Sequence, residues 1–102
     1  MSHDPFDIVQ NDRDREALAL ASRLEREKEI ADVAELLKTP FGRRFIWRQL
    51  CLAGVYRSGF STDHSLMARA EGRREMGLSL LADVMEADPD AYSKMTKEQK
   101  RG

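Results

Sequence analysis

The chain has 102 residues, 17 Lys and Arg against 18 Asp and Glu, and a formal net charge of −1. That length is about one domain, with a single modest core burying roughly 60–70% of the unfolded surface, and 41% apolar beside 34% charged residues excludes a collagen-like chain and wholesale disorder. No apolar run approaches the roughly 20 residues of a membrane span, and nothing reads as a signal peptide. A single Cys, Cys51, excludes an intramolecular disulfide and a Cys-rich zinc site, so we expect a reducing cytosol or a particle assembled in one.

Residues 1–11 are polar, interrupted by Pro5, and weakly periodic, which predicts a flexible arm anchored at most through Phe6, Ile8 and Val9. From Asp12 strong helix formers run without Gly or Pro until Pro40, predicting a long helix over 12–38. Its stripe is Ala17, Leu20, Leu24, Ala31 and Ala34, at three- and four-residue steps. The Ala-rich, charged first half is too weakly apolar for a core, whereas Ile30, Val33, Leu36 and Leu37 are expected to be buried. Thr39 as N-cap and Pro40 at the first helical position start a second helix over 40–53. It is apolar almost all round and is expected at the centre, and Gly54 is a natural left-handed stop. A connection with Tyr56 and Phe60 follows. Thr62 or Asp63 caps a third helix over 63–87, whose stripe is Met67, Ala70, Gly77 or Leu78, Leu81, and Val84 or Met85. Asp88-Pro89 opens a short fourth helix over 89–96, and 97–102 is a frayed tail. No stretch alternates as a strand does, so the fold class is all-α: a bundle of about four helices over 12–95, built on a central antiparallel hairpin of the second and third, with a long acidic N-terminal helix.

The near-neutral balance hides an asymmetry. Residues 1–37 carry ten acids and five bases, residues 38–74 eight bases and two acids, and residues 75–102 six acids and four bases. Twelve of the 17 bases are Arg, which favours fixed bidentate contacts. A phrase is doubled: Gly42-Arg43-Arg44 recurs as Gly72-Arg73-Arg74. If the second and third helices form a hairpin, Gly42 lies near Arg74 and Arg44 near Gly72. Mid-helix Gly costs about 0.5–1 kcal/mol against Ala, so Gly42 and Gly72 suggest a tight crossing, with Glu71 paired to Arg43 or Arg44. The bland reading of the arginines is this structural one. The functional alternative is a phosphate or nucleic-acid surface of Arg43, Arg44, Arg48, Arg57, Arg73 and Arg74, although twin Arg pairs are not a nucleic-acid motif.

Other chemistry is absent from the pattern. His3 and His64 lack a second ligand at useful spacing, Cys51 reads as a core filler, and Trp47, Tyr56, Phe60 and Met67 read as core rather than a ligand box. Met67, Met76, Met85 and Met95 read the same way. No nucleophile triad, Gly-rich phosphate loop or paired catalytic carboxylates occur, so we expect no enzyme, metal, cofactor or small-molecule ligand.

The middle of the chain resembles a family of short all-helical structural proteins of tailed bacteriophages, typified by a small virion protein of a Bordetella podophage. The resemblance runs from about Leu36 to Met95. It rests on T-P-x-G-R-R-F-x-W at 39–47, G-V-x-R-S-x-F at 54–60, E-G-R-R-x-x-G at 71–77 and D-P-x-A-Y at 88–92. It implies a non-enzymatic, virion-associated protein, located in the virion and in the host cytoplasm during assembly, and brings no catalytic residues. The expected function is docking on another virion component or on itself, through the partner stripe Ala17, Leu20, Leu24 and Ala31 of the first helix, which lies outside the resembling region. The acidic first segment meeting the basic segment of a neighbour is one such contact. The alternatives are a nucleic-acid-binding accessory protein using the arginine surface, and a helical adaptor for a host protein. No membrane partner is expected.

Overall fold

The computed structural model describes residues 5–57 and 62–101. Within them the chain forms α1 (Pro5–Leu37), α2 (Pro40–Leu52), α3 (His64–Ala87) and α4 (Pro89–Arg101), with no strand among the described residues. The fold is therefore all-α. Each expected start signal operates. The Thr39 hydroxyl accepts from the Gly42 N–H at 3.0 Å with Pro40 opening α2. The Asp63 carboxylate accepts from the Ser65 and Leu66 N–H groups at 2.9 and 3.2 Å. Asp88 closes α3 and accepts from the Ala91 N–H at 3.2 Å, ahead of Pro89. Gly54 takes a positive φ of 79°, a conformation that costs a glycine little and other residues more.

Two boundaries differ from the expectation. Residues 5–11 are helix, not arm: Pro5 occupies the favoured first position, Asp7 lies in the positive first turn, and Gln10 donates to Asp14 one turn on at 3.1 Å. Helix formation needs no core face here, so the lack of periodicity was no obstacle. At the other end α4 continues to Arg101 instead of fraying after 96, because Glu98 is tied to Arg43. Of the expected arm, residues 1–4 lie outside the described residues, as do 58–61 with Phe60, and Gly102.

The core consists of Leu37, Ile46, Leu50, Val84, Ala91 and Met95, with Val33, Trp47, Val55, Leu80, Leu81, Ala87 and Tyr92 packed against it. All four helices contribute. The molecule measures 66 × 40 × 15 Å, and with helices about 10 Å across a 15 Å depth leaves each element with one buried face and one wet one. Hence α2 is not buried all round: Phe41 is 67% exposed, and Phe45 and Leu52 are also exposed. The same geometry leaves Leu36, Leu78, Met76 and Met85 on the surface, and selects Gly77 and Val84 as the buried members of the α3 stripe. Of the four methionines expected in the core, Met95 is fully buried and Met67 half-buried. Cys51 is half-buried.

α3 lies more extensively against α1 than against α2. Arg26 of α1 donates to Asp83 at 2.6 Å and to Glu86 at 3.1 Å on α3, and to Glu29 of its own helix at 3.4 Å; the three carboxylates raise the already high pKa of the guanidinium, Asp83 foremost. Trp47 and Tyr56 stack with ring centroids 5.2 Å apart, and the Tyr56 hydroxyl lies 2.9 Å from that of Tyr92, closing the post-α2 turn onto α4. Burial first, and that hydrogen bond second, push the Tyr56 phenol above its ordinary range.

Candidate interaction surface

The described residues present three candidate surfaces, two of them singled out by sequence. The first is the N-terminal part of α1. Arg26, Ile30, Val33, Ala34 and Leu37 are at least partly buried, whereas every residue from 6 to 25 is exposed. The exposed part is about 30 Å of helix. Ala17, Leu20, Leu24 and Ala31 are all exposed, with Leu20 at 48% and Leu24 at 55%. At 100° per residue they form one stripe, roughly a third of a turn from the face that α1 packs inward. Among described residues, nothing in the molecule's own core uses this stripe.

The second is the arginine cluster, and the structure divides it. Arg43 is 5% exposed. Its Nε donates to Glu98 at 2.8 Å and its Nη1 to the Leu37 carbonyl at 2.8 Å, so it satisfies the end of α1 and holds α4 to α2. It is removed from any phosphate surface. Arg44, Arg48, Arg57, Arg73 and Arg74 are exposed, and the ion pairs among the described residues involve none of them. Arg48 stands over the Phe45 ring at 5.6 Å. Glu71 is likewise exposed, and the expected pairing of Glu71 with Arg43 or Arg44 is replaced by the pair of Arg43 with Glu98.

The tight crossing is also relocated. A Cβ on Gly42 meets the Leu36 carbonyl and stands 2.7 Å from the Thr39 hydroxyl, so Gly42 is required by the sharp α1–α2 turn and not by α3. A Cβ on Gly72 meets nothing within 4 Å. The glycine at which α3 approaches another segment is Gly77, where a Cβ falls 2.5 Å from both Ala53 and Val55 side chains. The register of the doubled phrase pointed to the wrong glycine, because α3 meets the end of α2 one and a half turns further along.

The third surface was not foreseen. Beside Gly77 an apolar groove of about 480 Å³ is lined by Phe45, Leu52, Met76 and Leu80 with Arg73, and Met76 is 76% exposed. Its signal in the sequence was an excess of apolar residues on α2 over what one buried face of a small flat fold can hold. The exposed Tyr56, expected in the core, and the half-buried Tyr92 and Trp47 line a second hollow. The described residues include no cluster of three or more His, Cys, Asp or Glu able to hold a metal, and no helix of the described residues is long and apolar enough to cross a membrane.

A family model matches residues 33–97, that of the Bbp19-like phage protein. The match covers well over half of the chain and all of the buried core, and the chain belongs to this family of phage proteins. No curated protein and no solved structure matches it.

Proposed function

We propose that this phage protein is a small, non-enzymatic structural component of the virion that acts by protein–protein contact through the projecting half of α1. The observation that carries the reading is the helix of residues 6–25, exposed at every position and bearing an apolar stripe that its own domain leaves uncovered. A free-standing helix of this length draws little stability from its own fold, so a partner is its natural source of burial. Mass spectrometry of purified particles from a phage encoding the chain is expected to detect it at a fixed stoichiometry. Particles that lack it, from an infection in which the chain is made, overturn the virion role.

A second reading has its own support. Arg44, Arg48, Arg73 and Arg74 are exposed on neighbouring helices, without a carboxylate pairing them among the described residues. A nucleic-acid accessory protein using them binds with an affinity that falls steeply with salt, since each phosphate contact releases a counterion. Duplex binding with a flat salt response, or none at low salt, removes that reading.

A further inference from the structure

We propose that the occupant of the α1 stripe is the same stripe of a second copy of this chain, paired antiparallel about a two-fold axis near Ala21. The proposal rests on the contact role assigned to α1 above and specifies its partner. The projecting helix carries two interleaved series at seven-residue spacing: Gln10, Ala17, Leu24 and Ala31, and Phe6, Arg13, Leu20 and Glu27. These are the two inward positions of a coiled-coil seam. The seam is exposed from end to end and lies away from the face that carries Arg26 and its α3 partners Asp83 and Glu86, so a second helix fits beside α3 without displacing it.

Direction follows from the two charged residues in the seam. A parallel pair sets Arg13 against Arg13 and Glu27 against Glu27, which places like charges together twice. An antiparallel pair centred near Ala21 sets Leu20 against Leu24 of the second copy, on both sides of the axis. Arg13 then faces Ala31 of the second copy, and Glu27 faces Ala17. The small residues leave room for the long ones. Arg13 and Glu27 of the second copy occupy adjacent layers about 6 Å apart along the axis, within reach of an ion pair. At the flank Asp14 faces Lys28 of the second copy. Two approaches are unfavourable: Arg23 across the axis, offset by Glu27 one turn further on in its own helix, and Asp7 beside Glu35 of the second copy at each end of the overlap, where Lys38 already pairs with Glu35. Opposite charges therefore meet four times in the antiparallel arrangement, and this complementarity fixes both direction and register.

The α2–α3 groove is the other apolar surface open to a neighbour's helix, but it spans only the two turns between Phe45 and Leu52, about 10 Å. The seam from Arg13 to Ala31 is about 28 Å long. A head-to-tail contact also fails to close on itself, whereas the two-fold pairing does. A single two-helix seam lies at the small end of interfaces, below the about 800 Å² per partner of a standard one, so the dimer is expected to dissociate on dilution.

Sedimentation equilibrium on the full chain, over a concentration series, tests this. The wild type is expected to dimerise reversibly. Arg13→Glu and Glu27→Arg each raise the dissociation constant about tenfold or more, and the double reversal Arg13→Glu with Glu27→Arg restores wild-type association. Both positions are exposed, and circular dichroism of the variants at low concentration checks that folding is unchanged. As a second readout, Ala21→Cys with Cys51→Ala crosslinks across the axis on mild oxidation, while Asp7→Cys in the same background does not. A chain that stays monomeric at every concentration, a double reversal that folds but fails to restore the dimer, or crosslinking as efficient at position 7 as at 21 overturns the proposal. A dimer absent from particles leaves this pairing standing and removes the virion role; a monomer present in particles does the reverse.

Discussion

The segment matched by the family, residues 33–97, and the projecting half of α1, residues 6–25, are both helical among the described residues but are held in place by different physics. The first contains the largest fully buried side chains of the described residues: Leu37, Ile46, Leu50, Val84 and Met95 lock the four helices together. The second contains none, and its helix persists through propensity, local pairs such as Gln10 with Asp14, and continuation into the packed turns of Arg26 to Leu37. The same residue type thus means different things in the two regions. A leucine in 33–97 is a fold determinant, and a leucine in 6–25 is available for something outside the fold.

The largest expected effect separates these two kinds of leucine. Leu50→Ala or Met95→Ala opens a cavity in a fully buried site and is expected to cost about 2–5 kcal/mol, lowering the melting temperature by roughly 10 °C or more. Leu20→Ala, measured in dilute protein, is expected to stay within about 0.5 kcal/mol of wild type. Equal losses in denaturant titrations of the two variants would erase the comparison.

The arginines sharpen it next. Arg43→Met strands the Leu37 carbonyl and Glu98, and is expected to cost about 2 kcal/mol, reduced from a fully buried pair because Glu98 is 30% exposed. Arg44→Met, one residue on but exposed, is expected to leave unfolding unchanged while lowering any nucleic-acid affinity. The two glycines of α3 form a third pair. Gly77→Ala, with its Cβ driven against Ala53 and Val55, is expected to destabilise by about 1–2 kcal/mol, and Gly72→Ala, in open space, to stabilise by about 0.5–1 kcal/mol. Thermal unfolding that moves both variants in one direction would place the crossing elsewhere.

The smallest effect concerns Tyr56. Its phenol is held above the ordinary value of 10.0, so the folded chain retains this proton more tightly than the unfolded one. The stabilisation is fully present below about pH 10 and is lost as pH rises through the folded value. Tyr56→Phe is expected to cost under about 1 kcal/mol at neutral pH and to lose less stability than wild type between pH 10 and higher alkalinity. Urea midpoints at neutral and alkaline pH check the sign.

Element identity and helix starts were legible because they depend on neighbours in the chain. Thr39-Pro40, Asp63 and Asp88-Pro89 each satisfy N–H groups within three residues of themselves, and Gly54 stops α2 by its own backbone freedom. That Ala17, Leu20, Leu24 and Ala31 share a helix face was also legible, since helix geometry sets it whatever the tertiary fold does. The start of α1 at Pro5 was missed by demanding periodicity of a helix with no core to face, and the length of α4 by treating a polar end as a loose one.

What only the tertiary structure decided is which of several chemically equivalent residues meet. Arg43 and Arg44 are alike in sequence, yet one is buried on Glu98, 55 positions away, and the other is exposed. Gly42, Gly72 and Gly77 differ only in what passes nearby: the Leu36 carbonyl, nothing, and the Ala53–Val55 turn. The 15 Å depth that strips Phe41, Leu52 and Met76 of cover is likewise a property of how four helices stack. Local hydrogen bonding and helix periodicity are written in adjacent residues, whereas register and thickness come from the joint packing of distant ones, and no single stretch of sequence contains that sum.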